Sequence, residues 1–493
     1  MMKERSEKYI YDSLVDIVGR ANVVEQDDAL KKYGEDQSFT KPRAPLFGAR
    51  PVSREEVQQI VMLANRENIA VFPFSSGTNL QGGHIPTERG ITVDLGRMNR
   101  IHKIDTISRN AIIHKIDTIS RNAIIEPGVT FAQLQDEARK KGLKVLTGPG
   151  VPAYGSVLAS YLDLTPLYSW GLYSLWQLLN MEMVLPTGKI MKTGQWAVRA
   201  GAENPYSWVT QFAVMNRMFV GAQGTFGIAT AGAVNLKTLH DVRKVIFIPF
   251  KSIEGAIGAV RNLRSLEIGE ESFIANPHYL SLMLSGGSLD AYGKTRDTLP
   301  LWTVAVVISG WEEKVAYLEE DLKDLAVKNK YELLSELPGI PDAGEKILQE
   351  ILYPNGNDNQ KVYKGACNPV FTYVLPKQAG SMLDMVNRIA DDYGYSPQDI
   401  GYLFLPLDYA RGYYFEPSFH RNPQDEAETE KVHRIFHEVS EKLFEAGAVF
   451  DRPYGAWAEM VFNNAGKYHK KIKDIKHLLD PQNIMNPGKL AFY

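Results

Sequence analysis

A single cysteine, Cys367, leaves no partner for an intrachain disulfide, and the chain suits a reducing compartment. Neither sign of charge is in excess: 55 basic residues face 58 acidic ones, a net −3. A nucleic-acid footprint needs a basic surplus on some face, so nucleic acid is not an expected partner. The charged start, MMKERSEKYI, carries no apolar signal segment. Two long uncharged runs, 164–181 and 218–236, are broken by glycine and by Ser, Thr, Asn or Gln. Neither reads as a membrane-spanning helix, and a cytoplasmic protein is expected. Signature loops are missing as well. There is no G-x-x-x-x-G-K-[ST], no G-x-G-x-x-G after a strand, no H-E-x-x-H, no C-x-x-C and no G-x-S-x-G. P-loop ATPases and Rossmann nucleotide sites drop out, and no metal site is expected.

What is present describes a large enzyme. At 493 residues the chain suits two domains or one two-lobed body, and 44% hydrophobic residues can bury a sizeable core. EEVQQIVMLANREN reads as an amphipathic helix with Val57, Ile60, Val61 and Ala64 on one stripe. AVFPFSSGTNLQGG runs from a strand into a polar glycine loop, and GITVDLG is a second strand. Near Asp241 the texture changes to four β words, each followed by an amphipathic helix: KVIFIPF, WTVAVVIS, VFTYVL and GYLFLPL with YYFEPSF. The last helix carries Val432, Ile435, Phe436, Val439 and Leu443 on one stripe. The pattern predicts an α+β fold in which helices cover one face of an antiparallel sheet.

Several loops suit an anionic ligand. In PFSSGTNLQGG, which starts at Pro73, Gly77 and Gly82 let the backbone turn sharply, and Ser75, Ser76, Thr78 and Asn79 add short donors. Successive amides in such a turn make an anion nest that needs no lysine. GAQGTFGIAT repeats glycine at Gly221, Gly224 and Gly227, with Thr225 and Ile228 among them. GPGVPAYGSVLASYLD brings Pro149, Gly155 and Ser156, and NPGK sets Lys489 beside a tight turn.

Taken in order, PFSSGTNLQGG, ITVDLGRMNRI, EPGVTFAQL, MEMVLPTGKIMKTG, GAQGTFGI, FDRPYGAWA and LLDPQNIMNPGKL resemble the vanillyl-alcohol-oxidase / p-cresol-methylhydroxylase family of FAD flavoproteins. The resemblance implies a two-lobed fold: an FAD-binding domain over 1–240, a substrate domain over 241–465 capping the flavin, and a tail over 466–493 returning to the FAD domain. It also implies that Ser75, Ser76, Gly77, Thr78 and Asn79 hold the pyrophosphate, with Gly224, Thr225 and Ile228 along the phosphate and adenosine side. Arg452 matches a family arginine near the flavin N1/C2 carbonyl. A fixed guanidinium there stabilises the negative charge that reduced flavin carries.

The departures bear on function. Family members that ionise a phenol use two tyrosines and an arginine. This chain has Gln81 and Asp451 at the tyrosine positions, so only Arg452 is matched. Members that attach FAD covalently do so through His or Tyr, and NPVFTYVLP has no His and offers Tyr373 alone. Non-covalent FAD is therefore expected. In GYYFEPSFH, a strand would put Tyr414, Glu416, Ser418 and His420 on one face and Tyr413, Phe415 and Phe419 on the other. Glu416 is the candidate base, with Tyr414 and Tyr413 beside it, although Pro417 also suits an exposed edge strand. SWGLYSLW, 169–176, offers aromatic surface for a flat pocket.

The expected activity is hydride transfer from a C–H next to oxygen or to an aromatic ring, from a small-molecule substrate, to flavin N5. A 2-hydroxy-acid dehydrogenase, with Arg411 and Arg452 as carboxylate clamps, and a flavin-binding protein without turnover are the alternatives. O2 or another redox partner as electron acceptor, and a homo-oligomeric state, stay open. One oddity remains: IHKIDTISRNAI fills 101–112 and again 113–124. An added strand would reverse the chain direction, so the hairpin should use 100–105 and 122–126, with the residues between leaving the sheet as a loop.

Overall fold

The computed structural model describes residues 2–102, 116–117, 121–169, 174–198 and 215–492. Local chemistry sets its helix ends. Helix Arg54–Glu67 starts where Ser53 Oγ accepts the Glu56 amide at 3.2 Å, and it stops on left-handed Asn68. The stripe Val57, Ile60, Val61 and Ala64 is buried as its spacing predicts. Helix Glu426–Glu445 starts on an Asp425 cap and buries Val432, Ile435, Phe436, Val439 and Leu443.

The N-terminal lobe opens with β1 (Val23–Val24), β2 (Phe47–Ala49), β3 (Ala70–Phe74) and β4 (Gly90–Asp94). They lie in the order β1-β2-β4-β3, with β4 parallel to both neighbours. Next come β5 (Ile101–His102), β6 (Ile116–Asp117), β7 (Asn122–Ile125), β8 (Leu143–Lys144), β9 (Leu178–Val184), β10 (Ile190–Lys192), β11 (Ile228–Asn235) and β12 (Lys237–Thr238). β8 and β12 form a ribbon, and the rest an antiparallel sheet, β10-β9-β11-β7-β5, with β6 also beside β7.

The second lobe begins at Val242, where the sequence texture changes. Its strands are β13 (Val242–Phe250), β14 (Glu271–Ala275), β15 (Trp302–Gly310), β16 (Ala366–Pro369), β17 (Thr372–Val374), β18 (Gly401–Leu407) and β19 (Gly412–Arg421). All pair antiparallel, in the order β13-β15-β14-β18-β19-β16, with β17 also on β19. Every predicted β word lands on one of them. The central strands β15 and β18 are buried along their whole length, so both faces of this sheet are covered. On one side Tyr413 reaches the Ile257 carbonyl of helix Ile253–Ser265, and on the other Tyr414 and Glu416 face a cleft against the first lobe. Trp457 packs into the core of the second lobe, whereas Ala458 and Phe462 join the core of the first. The chain thus begins its return before residue 466.

Pro417 does not mark an edge. β19 is flanked by β18 on one side, and on the other by β16 and β17, whose break falls opposite Pro417. The missing N–H falls where the neighbouring strand is interrupted.

The repeat corrects the hairpin expectation. β5 places Ile101 opposite Ile125 and His102 opposite Ile124. The next two places opposite β7 belong to β6, Ile116 with Ala123 and Asp117 with Asn122. The second copy therefore does not leave the sheet altogether. Both copies carry the same I-D pair, and the one nearer β7 closes the shorter loop. Residues 103–105 of the expected first strand lie outside the described residues. Among the described residues no helix is long and apolar enough to cross a membrane, and no group of three or more side chains could hold a metal ion.

Deleting residues 113–124 leaves Ile104 and Asp105 to take the places of Ile116 and Asp117. The shortened chain should keep its thermal midpoint within a few degrees and its full FAD content, measured by absorbance per chain. Loss of FAD would show that the second copy is structurally required.

Candidate active site

The cleft between the lobes opens to solvent. One end is the loop after β3. Pro73, Ser75, Ser76, Gly77, Thr78 and Asn79 line it, and so do Pro149, Gly224, Gly227 and Ile228. Gly77 has φ +66°, and a Cβ there would meet the Phe74 ring at 2.7 Å. A Cβ on Gly224, at φ +71°, would meet Pro73 at 2.4 Å. The amides of Ser76, Gly77 and Thr78 donate to no acceptor among the described residues. A turn of free amides, closed to side chains, fits a pyrophosphate.

Some expected cofactor residues sit one layer behind the lining. Ser156 gives its amide to Ser76 Oγ at 3.0 Å and caps helix Val157–Leu162. Lys489 Nζ donates to the carbonyls of Gly82 and Ile85, at 2.8 and 2.9 Å. It straps the loop rather than facing the cleft. Burial pushes its pKa down to about 8. Thr225 bonds to Ala222 O at 2.7 Å, the Gly221 amide to Leu162 O at 2.7 Å, and the Gly155 amide to Pro152 O at 2.7 Å. The Gly82 amide is taken by Asp36 at 2.7 Å. These groups shape the backbone that the lining side chains hang from.

The other end of the cleft belongs to β19 and the turn before helix Ala456–Asn463. Tyr414 and Glu416 line it, and Tyr413, on the opposite strand face, does not. Glu416 is 2% exposed. Its carboxylate accepts from Tyr414 Oη and, at 3.0 Å, from Ser418 Oγ. Burial raises its pKa, against the pull of those hydroxyls and of Arg452. Arg452 is stacked on Phe371, 3.9 Å from the ring centre, with Asp451 Oδ1 3.7 Å from Nε. Burial opposes its charge, yet Asp451, Tyr414, Tyr373 and Asp163 outweigh that and hold the guanidinium ionised. Its Nη2 is buried without a hydrogen-bond partner, a donor that fits the flavin carbonyl edge or a substrate oxygen.

Several lining groups were not singled out from sequence. Asp163 is held by Asn79, and burial lifts its pKa to about 7, with Arg452 opposing and Asp451 adding. It is the one carboxylate between Glu137 and Glu182, and that isolation was the available signal. Gln81, in place of a family tyrosine, is tied to the Pro369 carbonyl at 2.9 Å. Phe371, Tyr454 and Asn486 complete the wall from distant segments. Of SWGLYSLW, residues 170–173 lie outside the described residues. Trp176 is exposed, stacked by Arg217 and away from the cleft.

A two-lobed body with a glycine-lined cleft and an arginine at its inner end defines a flavin-dependent oxidoreductase. Comparison makes this specific: residues 45–194 match an FAD binding domain, and residues 372–490 match the C-terminal domain of FAD linked oxidases. The chain belongs to the vanillyl-alcohol-oxidase / p-cresol-methylhydroxylase family of FAD-dependent oxidoreductases, and FAD is its cofactor. It is 26% identical over 248 residues to an uncharacterized FAD-linked oxidoreductase of Mycobacterium tuberculosis, a match covering 50% of this chain and 49% of the relative. The match thus spans about half the length of that relative. A glycolate oxidase subunit of Bacillus subtilis is 22% identical over 98% of this chain and 97% of its own length. The fold matches the crystal structure of p-cresol methylhydroxylase with substrate bound, with a TM-score of 0.83 at 20% identity, covering 99% of this chain and 97% of that one.

Arg452→Ala should slow flavin reduction by about 10²–10³-fold, roughly 3–4 kcal/mol, while FAD content changes little. Stopped-flow bleaching at the flavin absorbance measures the first, and absorbance per chain the second. Equal reduction rates would remove Arg452 from the catalytic group.

Proposed function

We propose that the protein oxidises a small hydroxylated or benzylic compound, moving hydride from its C–H to flavin N5. The observation that carries this is Glu416: a buried carboxylate, held by two hydroxyls, at the end of the FAD cleft where Arg452 stands. Bound FAD supplies the two-electron acceptor. Ser76, Gly77, Thr78 and Asn79 would hold its pyrophosphate by short neutral donors. Glu416, in its ionised form, takes the proton of the substrate hydroxyl as the carbonyl forms. Tyr414 and Ser418 hold the carboxylate by hydrogen bonds where it lines the cleft. Arg452 stabilises negative charge that develops beside it, and the wall of Phe371, Tyr414 and Tyr454 limits water.

The likeness to a glycolate oxidase subunit favours a second reading, a 2-hydroxy acid as donor. Arg411, one of its two expected clamps, is on an exposed turn bonded to Asp408 at 2.8 Å, away from the cleft. Only Arg452 remains to grip a carboxylate, and it already faces Asp451.

FAD is held without a covalent bond in this reading. Tyr373, the one candidate anchor, does not line the cleft, and its hydroxyl engages Asp451. Acid precipitation should leave the yellow colour in the supernatant; a coloured pellet would overturn this.

An anaerobic panel of benzylic and secondary alcohols, followed at the flavin absorbance, should contain at least one compound that bleaches the flavin. A panel that leaves it oxidised throughout would support binding without turnover. Because the base must be ionised and its pKa is raised, reduction should accelerate as pH rises through that pKa. Glu416→Gln should cut the rate by about 10²–10⁴-fold and remove this acidic limb. An unchanged pH profile would return Glu416 to a packing role.

A further inference from the structure

The charges around the inner end of the cleft do not balance. Among the described residues that line it, Arg452 is the one cation with a fixed charge, and Asp163 and Glu416 are two acids. Asp451, a third, sits 3.7 Å from the guanidinium just behind the wall. His84 also lines the cleft, and burial holds it below its ordinary pKa, toward the neutral form. Lys489 does not line the cleft and is bonded to the carbonyls of Gly82 and Ile85. Arg411 is outside on its exposed turn. FAD adds its own pyrophosphate charge to the same cleft, where the loop after β3 offers it backbone amides, hydroxyls and Asn79.

We propose that this pocket selects its donor by charge: an uncharged aromatic alcohol or a cationic analogue is accepted, and a carboxylate-bearing donor such as a 2-hydroxy acid is turned away. This rests on the cleft being the substrate site of an FAD oxidoreductase, and it names the substrate class within that reading. The physical reason is that the positive charge of Arg452 is already shared with acids. Asp451 lies 3.7 Å from it, and Asp163 is within electrostatic reach of both. An incoming carboxylate meets one compensated cation and two further acids in a site that water screens poorly. A neutral hydroxyl needs only the unpaired Nη2 donor and an acceptor on Glu416. A cation gains the surplus carboxylate.

Titration sets the strength of this filter. The groups facing Asp163 are Asn79, which donates to it, Arg452, which favours its ionised form, and Asp451, which opposes it. Those facing Glu416 are Tyr414, Ser418 and Arg452, with Tyr168, Tyr279 and Cys367 also within its electrostatic reach. Burial raises the pKa of Asp163, Glu416 and Asp451 alike. All three lose negative charge as pH falls, so the barrier to an anion should fall with pH and rise with it.

Benzoate, benzamide and benzamidine form an anion, neutral and cation series of one shape, and none carries an oxidisable benzylic C–H. Their binding to the holoenzyme, read as a perturbation of the flavin spectrum, therefore does not depend on turnover. At pH 8 benzamide and benzamidine should bind about tenfold tighter than benzoate, or more. Benzoate should tighten between pH 8 and pH 6, since its own carboxyl, with a pKa near about 4, stays ionised throughout. Benzamide should show no such trend. Asp163→Asn should raise benzoate affinity about tenfold and flatten its pH dependence. If that variant loses FAD, Asp451→Asn and the wild-type pH series carry the same test. Benzoate binding as tightly as benzamide at pH 8, a flat benzoate profile in the wild type, or failure of all three to perturb the flavin would each overturn the inference. Failure of the alcohol panel with the charge preference intact would sink the oxidation reading alone.

Discussion

A strand buried on both faces must sort its side chains by alternation, and the whole inner end of the cleft depends on that sorting in β19. Odd positions go to an apolar core: Phe415 stacks on Phe404 at 4.7 Å between ring centres, and Tyr413 reaches the helix behind. Even positions go to the cleft side: Tyr414, Glu416 and Ser418. A slip of one residue would drive Glu416 into the aromatic core and Phe415 into the cleft. The register is pinned by seven consecutive pairs with β18 and by β16 and β17 on the other side. A buried carboxylate without partners costs several kcal/mol, roughly, and the two hydroxyls one turn of the pleat away supply them. Packing and chemistry therefore enforce the same arrangement.

Much of this was legible in the sequence, for physical reasons that can be named. Periodicity of 3.6 and 2 is a backbone property, so the stripes of helices Arg54–Glu67 and Glu426–Glu445 and the β words of the second lobe could be read directly. The loop from Ser75 to Asn79 was legible because only glycine tolerates the crowded turn at Gly77. Harder to read were groups whose role comes from long-range neighbours. Asp163 is an isolated acid at the end of a short helix, and nothing local says that Arg452, nearly three hundred residues later, lies beside it. Lys489 looked like a ligand contact because a lysine by a turn often is one. Its amine goes instead to two carbonyls, since a loop of strained backbone leaves acceptors that a buried ammonium can satisfy. The repeat misled through its own identity: two equal candidates for one strand cannot be ranked by pattern, only by loop closure.

The two lobes are also joined by directional bonds, and this bears on why the cleft keeps its shape. Lys144 in the first lobe is buried, bonded to Glu271 and, at 2.7 Å, to Glu270 in the second, and Arg243 meets Glu271 at 3.2 Å. Gln81 ties the loop of the first lobe to Pro369 of the second, and Gln223 ties its own loop to Pro453 at 3.0 Å. Apolar contact alone is non-directional and would let one lobe slide on the other. Removing one partner of such a buried ion group costs about 3–5 kcal/mol, because a charge is left uncompensated. The lobes are held in one register by these pairs.

That fixed register explains how one cleft can treat its two ends differently. The first lobe contributes almost no charge to the lining at its loop end, which offers hydroxyls and amides. Acids and the single guanidinium come from segments that converge at the other end: Asp163 from the first lobe, Glu416 from β19, Arg452 from the turn that follows β19 and its helix. Each alone would be costly to bury. Together they share one positive charge, and burial, rather than solvent, sets how many of the acids ionise. In the charge filter proposed above, selectivity lies in the balance of these charges. The strand alternation that places Glu416 therefore also decides which ligands the cleft can neutralise.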